Sequence, residues 1–362
     1  MDWILLGNPE NRRVQGFVDA LAEEGHALRT VVAWRDVLDD PRVLDDLDDT
    51  PAFLRIESAG EHEGVQERLL HLGGYRGPRP HFGQVVGPTA LHRGFVGAMG
   101  IMGEVLRGHP SWVPLATPDA ILSVFDKRAF HERCAALGVP TPERLHVDTV
   151  DALYEALEHA DHSVYVKLRY SSSASGLGVY RHRPRPRLMT TVRVTHEGRF
   201  NSLRIQRVTD PARIRDLLTW ILEEEHGHVE VSAPKARLGG ANFDCRVLMV
   251  AHEPAFVVVR HSRHPITNLH LGGWRGDPIA LRSACPPEAW HRAMEDCRTV
   301  SRAYGGLHLG IDLLFEPGFR QHRLIEANAF GDLLPRLERD GRSVYRYEIA
   351  HALAWAQGAR SS

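Results

Sequence analysis

The chain has 362 residues, enough for two or three compact units with sizeable cores. Its formal net charge is -2 with 25% charged residues, so composition gives no reason to expect nucleic acid or an anionic membrane as a partner. No apolar run approaches the roughly 20 residues that span a bilayer, and Cys134, Cys245, Cys285 and Cys297 form neither a CxxC pair nor a disulfide framework, which suits a reducing cytoplasm.

The start, MDWILLGNPENRR, has no basic segment ahead of its apolar run, so it reads as a first strand and not as a signal peptide. Val14, Phe17, Val18 and Leu21 then recur at helical spacing, and ALRTVVAW reads as a second strand. Strand, helix, strand in this order predicts a parallel, right-handed crossover. The turn GNPENRR carries no GxGxxG, the chain has no GxxxxGK[ST], and no repeat recurs at a fixed period. The acidic residues 36–49 read as a solvated loop or helix surface, and AFLRIES as a further strand. Residues up to Pro114, rich in Gly, Pro and Arg, give no clear periodicity.

The spacing of Leu122, Phe125, Ala129, Phe130 and Leu137 predicts one helix over 121–137, stopped by Gly138 and Pro140, with Lys127 off its apolar face. Lys167 then stands inside the apolar strand VYVKL, where an unpaired ammonium is costly to desolvate, so an anionic group is expected beside it. The loop after it holds Ser171, Ser172, Ser173, Ser175, Gly176 and Gly178. Such a loop lays N–H groups and hydroxyls against an oxyanion, and its glycines are expected to take positive φ.

Basic strands follow over 191–208, carrying Arg193, Arg199, Arg204 and Arg207 on a face open to solvent or to an acidic ligand. A helix is predicted over 211–225 from Ile214, Leu217, Leu218 and Ile221, then the strand HVEVSAP with Glu230. FDCRVLMVAHEPAFVVVRHS reads as a hairpin in which Asp244 and Arg246 share a face and Arg260 ends the second arm. His226 with His228, and the set His261, His264 and His270, could in principle offer nitrogen ligands to a transition metal, but scattered surface histidines are the preferred account. A helix over 287–304 leads to IDLLFE and HRLIEAN, two arms of a hairpin broken by PGFRQ, and a helix over 344–355 closes the chain. A turn centred near Phe319 sets Asp312 opposite Glu326, and period two puts Asn328 on the Glu326 face. Two carboxylates and one amide oxygen suit a hard cation such as Mg2+. The residues alone also allow an ordinary hairpin with solvated acids.

As a set, these segments resemble the ATP-grasp superfamily over about residues 117–340. DKRAFHERCAALGVPTPE is similar to its first-lysine helix, YVKLRYSSSASGLGV to its second-lysine strand and phosphate loop, and Asp312 with Glu326-x-Asn328 to its metal signature. FDCRVLMV, Arg260 and NLHLGG resemble the branch of bacterial glutathione synthetase and the ribosomal-protein glutamate ligases. The resemblance implies an α/β and α+β architecture: a pre-ATP-grasp α/β domain over 1–116, subdomain A over 117–190, and subdomain B with the metal hairpin over 191–362. It implies ATP with Mg2+, or Mn2+ in its place. Lys127, Lys167, Ser171, Ser172, Ser173, Ser175, Gly176, Gly178 and Glu230 would bind the nucleotide, with Glu230 at adenine and ribose. Asp312, Glu326 and Asn328 would bind the metal, and Arg246, Arg260 and Asn268 would serve phosphoryl transfer and the acceptor. The implied activity is an ADP-forming carboxylate-amine ligase working through an acyl phosphate in the cytoplasm, on small-molecule or peptide substrates, with a homodimer allowed. A small-molecule kinase and a nucleotide-binding protein without turnover remain open. Leu168 and Arg169 stand where the family often has Pro, and Ile266 where the related branch often has Arg, so substrate carboxylate recognition is expected to differ.

Overall fold

The computed structural model describes residues 1–171, 174–331 and 336–359. Among the described residues three larger sheets follow one another along the chain, and a two-stranded ribbon pairs Glu338–Arg339 with Arg342–Ser343. The first is four-stranded and parallel, with β1 (Asp2–Gly7), β2 (Leu28–Ala33), β3 (Ala52–Ile56) and β4 (Trp112–Pro114) in the order β2-β1-β3-β4. β3 is buried along its whole length and β1 over all but its first residue, as parallel strands covered on both faces must be. The helix Arg12–Glu23 makes the expected crossover and buries Val14, Phe17 and Leu21.

Two helices fill the stretch that the sequence left unread, Glu63–Leu72 and the long Pro88–Gly108. They pack so closely that a Cβ on Gly94 would lie 1.8 Å from the Leu69 carbonyl oxygen. Glycine inside a helix lowers its propensity, which is why the local signal is faint; here it admits a neighbouring backbone.

The second sheet comprises β5 (Arg144–Leu145), β6 (Val164–Lys167), β7 (Leu177–Arg181), β8 (Arg187–Thr195), β9 (Gly198–Val208) and β10 (His228–Val231), in the order β5-β10-β6-β7-β8-β9 with antiparallel pairing. Leu153, Leu217 and Leu218 from two covering helices pack on Val164 and Val166. The boundary expected between 190 and 191 falls inside β8, and the sheet continues to Val231. The predicted helix over 211–225 is α-helical over Pro211–Thr219 and widens to a π-turn over Trp220–Glu224.

The third sheet holds β11 (Arg237–Leu238), β12 (Ala241–Val250), β13 (Glu253–Ser262), β14 (Trp274–Arg275), β15 (His308–Phe315) and β16 (His322–Asn328), ordered β14-β13-β12-β15-β16 with β11 beside β12. The β12–β13 turn puts Ala251 and His252 at φ 49 and 67, the left-handed pair that matches strand twist in a tight hairpin. The helix Pro287–Tyr304 lays Ala293, Met294, Cys297 and Val300 on this sheet. The last helix, Val344–Ala359, returns to the first unit, where Tyr345 meets Phe17 edge-on at 5.5 Å between ring centroids.

One helix predicted over 121–137 is in fact two, Pro118–Phe125 and Lys127–Ala136. Asp126 breaks them with extended φ/ψ and caps the second by accepting from the Arg128 and Ala129 N–H groups. Lys127 therefore stands at the start of a helix. Among the described residues, no helix is long and apolar enough to cross a membrane.

Candidate functional site

The register of β15 and β16 pairs Asp312 with Glu326 and Gly310 with Asn328, as period two and the Pro-Gly break predicted. Ala327, the intervening residue, is buried, and Glu326 and Asn328 are half-buried. Asp312 pairs across the sheet with Arg246 of β12, and Asp244 pairs with Arg260 of β13. These four charges are linked to one another. Arg246 Nε donates to Asp312 Oδ1, Arg260 Nε lies 2.7 Å from Asp244 Oδ1, and an Arg260 terminal nitrogen is 3.0 Å from Asp312 Oδ2. Burial alone would push the Asp312 carboxyl up, but Arg246 and Arg260 outweigh it and hold it far below the usual carboxylate range.

Lys167 sits on β6 opposite His228 of β10, with Glu230 two residues further. Its ammonium lies 2.6 and 2.7 Å from the two Glu230 oxygens, so the anion expected beside the strand lysine is this carboxylate. His228 Nε2 at 2.7 Å and His131 Nε2 at 3.1 Å also reach Glu230 Oε1. Burial opposes ionisation of Glu230, yet Lys167 and the two histidines keep its pKa well below normal. Burial drives His228 down to about 4 against the pull of Glu230. The resemblance put Glu230 at adenine and ribose; here its carboxylate is 2% exposed and turned to Lys167 instead.

Lys127 donates to the Ser171 carbonyl oxygen at 2.5 Å and stands 3.8 Å from Glu326 Oε2. It thus links the Ser/Gly loop to the acidic hairpin. Burial lowers its pKa, partly offset by Glu326. Ser171 Oγ donates to the Leu168 carbonyl, and Ser175 is half-buried on the same loop. Gly176 takes φ +61 as expected, and a Cβ there would strike Leu168 at 2.0 Å. Gly178 does not: it lies within β7 without positive φ, and its missing Cβ makes room for Leu188 at 2.8 Å. Ser172 and Ser173 lie outside the described residues.

Asn268 caps the turn Leu269–Leu271, its side chain accepting from the His270 N–H at 2.7 Å. A Cβ on Gly273 would lie 2.6 Å from the Asn268 carbonyl oxygen, so Gly273 is a packing requirement, whereas Gly272 has open space and takes φ +80. Ile266 is buried at 4% exposure and presents no charge.

Sequence reasoning missed Lys235. Its Nζ donates to Thr267 Oγ1 at 2.6 Å and to the Pro265 carbonyl at 3.0 Å, and lies 3.8 Å from Asp244. Burial lowers its pKa, Asp244 opposes, and Lys167 and Asp312 both act on it through space. No periodicity marks a lysine in a loop such as VSAPKAR. Also missed were His131, one helical turn beyond Lys127, and the bidentate pair of Arg169 with Asp126 at 2.9 and 2.5 Å. The histidine sets weighed for a transition metal do not assemble. Among the described residues the one grouping with ligand geometry is His131, His228 and Glu230, and the Lys167 ammonium already sits on its carboxylate.

The donor set suits Mg2+ by its chemistry. Asp312 is ionised, Glu326 is partly accessible, and Asn328 Nδ2 is buried without a hydrogen-bond partner. The oxygen and nitrogen of an amide have nearly the same shape, so a half-turn of this group would put its oxygen where the unpartnered nitrogen stands, as a ligand for a hard cation.

No family model and no curated protein matches the chain. Solved structures do match over nearly its whole length. The ATP-grasp ligase PsnB, complexed with a phosphomimetic variant of its minimal precursor, Mg and ADP, is 12% identical, with 98% of each chain covered and a TM-score of 0.57. The D-cycloserine synthetase DcsG is 12% identical, covering 97% of this chain and 99% of its own at 0.57. D-alanyl-alanine synthetase A from Vibrio cholerae O1 biovar eltor str. N16961 is 12% identical, with 99% of each chain covered at 0.55. The chain has the ATP-grasp fold.

Proposed function

We propose that this protein is an ADP-forming carboxylate-amine ligase that activates a carboxylate as an acyl phosphate. The observation that carries the reading is the convergence on Lys127: one ammonium touches the Ser171 loop and faces Glu326 of the acidic hairpin. Phosphate-binding and metal-binding groups thus share one site. The first sheet is read as the pre-ATP-grasp unit, and we place the division between the two grasp subdomains after Val231, where the second sheet ends.

Lys127 and Lys167 are assigned to the nucleotide phosphates, and backbone N–H groups around Ser171, Ser175 and Gly176 to the phosphate oxygens. Glu230 holds Lys167 extended, so ATP meets a preset cation. Asp312, Glu326 and Asn328 would hold Mg2+, which supplies charge neutralisation for the transferring phosphoryl group. Arg246 and Arg260 are buried, fixed by Asp244 and Asp312, and act as preorganised positive charge toward the γ-phosphate.

The carboxylate oxygen attacks the γ-phosphorus; that P–O bond forms, the bond to the β-phosphate oxygen breaks, and ADP leaves. The amine then attacks the acyl carbon. A C–N bond forms, the C–O bond to phosphate breaks, phosphate leaves with the electron pair, and the amine loses a proton. Asn268 and the turn it caps are assigned to the acceptor side, with Lys235 fixing that turn through Thr267 and Pro265. The ligase and synthetases among the similar structures support this chemistry, and the precursor-bound PsnB supports a peptide as one substrate class.

The test is Mg2+-dependent release of ADP and phosphate over paired pools of acids and amines, with hydroxylamine as a trap. A hydroxamate formed from the acid with no second amine present supports the acyl phosphate. Phosphorylation of a hydroxyl with no hydroxamate would replace the ligase by a kinase.

A further inference from the structure

We infer that the β8–β9 hairpin is the docking surface for an acidic polypeptide that brings the carboxylate to the site; the inference rests on the ligase reading. Residues 187–208 carry five arginines, Arg187, Arg193, Arg199, Arg204 and Arg207, against one acid, Glu197, in a chain whose formal net charge is -2. Arg199 belongs to the fold: it stacks over Trp220 at 5.0 Å and faces Asp216 at 3.5 Å. Arg187, Arg193, Arg204 and Arg207 are exposed, and among the described residues none has a carboxylate partner. Four cations on one hairpin repel one another unless an anion is present.

Position ties this charge to the chemistry. β9 is the outer strand of its sheet and lies against the turn Leu269–Leu271 that Asn268 caps. Residues 263–276 contain Arg263, His264, His270 and Arg275 and no acid, so the basic surface continues to the acceptor turn. Among the described residues the start of β9 is hydrogen-bonded on its outer side to the 83–85 segment: the Val85 N–H donates to the Arg199 carbonyl, and the Asn201 N–H to the Gly83 carbonyl. Beyond it, a bulge opposite Thr190 and Val192 interrupts the ladder, and Leu203 is 73% exposed.

Phe82, next to the covering segment, is 89% exposed. Apolar side chains between arginines are the makeup of a peptide-binding surface, where anchors supply burial and charges select the partner. An acidic polypeptide fits both, and its side chains or C-terminus are themselves the carboxylates a ligase activates. Nucleic acid is the competing class, since Phe82 and Trp274 are exposed beside the hairpin; within it Phe200 is buried, so no ring interleaves with the arginines to stack a base.

The test uses the full chain and a fluorescein-labelled peptide alternating Glu with Leu and Phe, followed by fluorescence anisotropy. A Gln-for-Glu peptide and a labelled oligouridylate serve as comparisons, and Mg-ADP binding is measured on the same preparations. The acidic peptide should bind tightest, weaken as salt rises, and lose on the order of ten-fold in affinity in the triple variant Arg193→Glu, Arg204→Glu, Arg207→Glu. Leu203→Asp should weaken it without altering Mg-ADP binding. Equal binding of the Glu and Gln peptides, tighter binding of oligouridylate, or an unchanged affinity after charge reversal would each overturn the docking surface. Loss of the ligase reading shows separately, as absent Mg-ADP binding in the unmodified chain with peptide binding intact.

Discussion

Lys167 and Glu230 come from adjacent antiparallel strands, and the ammonium lies within 2.7 Å of both carboxylate oxygens in a pocket where each side chain is less than a tenth exposed. Such a pair can be structural, functional or both, and removing partners one at a time separates these. Lys167→Met leaves an ionised carboxylate buried with two histidines, a change on the scale of ~3–5 kcal/mol for a broken buried pair. The double variant Lys167→Met, Glu230→Gln removes the stranded charge and should recover most of the thermal midpoint. Nucleotide affinity should fall about ten-fold or more in both variants, the scale of one charge-assisted hydrogen bond to phosphate. Calorimetric unfolding together with ADP titration reads the two effects apart; recovery of affinity in the double variant would remove Lys167 from the nucleotide site.

Glu326 and Asp312 face each other across the acidic hairpin but are held differently. Glu326 is 29% exposed and touches Lys127 at 3.8 Å, whereas Asp312 neutralises two buried arginines. Glu326→Ala should leave the thermal midpoint near that of the parent and reduce Mg2+-dependent phosphate release by roughly 100-fold or more, as for loss of a transition-state electrostatic group. Asp312→Ala should instead lower the midpoint steeply, because Arg246 and Arg260 lose their shared partner. Full turnover in folded Glu326→Ala would rule out the metal role.

The acidic hairpin was legible because both its cues are local: strand period and a Pro-Gly break fix which residues meet. Lys167 was legible as a charge inside an apolar strand, whereas Lys127 read as a solvated helix residue and entered the site only through the resemblance to the first-lysine helix. What escaped was set by tertiary partners. Asp126 looks like one polar residue inside a helical pattern, and only the Arg169 pairing and its capping bonds show it as a break. The helix Pro88–Gly108 hides behind its glycines, of which Gly94 and Gly97 meet Leu69 and Leu72 of the helix Glu63–Leu72. Lys235 has no pattern at all, since its partners Thr267, Pro265 and Asp244 come from other segments.

His228 gives stability a dependence on pH with a definite sign. Its ordinary pKa is 6.5, and burial drives it to about 4 in the folded chain despite Glu230 nearby. Below 6.5 the unfolded chain takes up a proton that the folded chain refuses, so the contribution is full above 6.5 and is lost as pH falls toward 4. His228→Gln keeps a hydrogen-bond donor toward Glu230 and removes this titration. The thermal midpoint of the variant should therefore fall less than the parent's between these two pH values. His92, stacked on Tyr170 and also driven to about 4 by burial, should retain part of the slope. Parallel midpoint curves for parent and variant would show that His228 does not carry the effect.

Arg55 supplies the sharpest stability test outside the site. It is 1% exposed on β3, with one terminal nitrogen 2.7 Å from Glu57 and the other 2.6 Å from Glu348 on the last helix, and it lies over the Phe17 ring at 4.1 Å. One guanidinium thereby fixes the C-terminal helix on the first sheet. Burial would raise the pKa of Glu57, but Arg55 and Arg13 bring it down to about 2. Its contribution is full above the ordinary carboxylate value of 4.5 and is lost as pH falls from there toward 2. Arg55→Met takes the arginine from Glu348 and leaves Glu57 with Arg13 alone, and should cost about 3–5 kcal/mol, with amide exchange in the helix Val344–Ala359 rising first. The triple variant Arg55→Met, Glu57→Gln, Glu348→Gln should regain much of that stability and lose the acid-side slope between 4.5 and 2. Unaltered exchange in that helix after Arg55→Met would place the anchor in the Phe17 and Tyr345 packing instead.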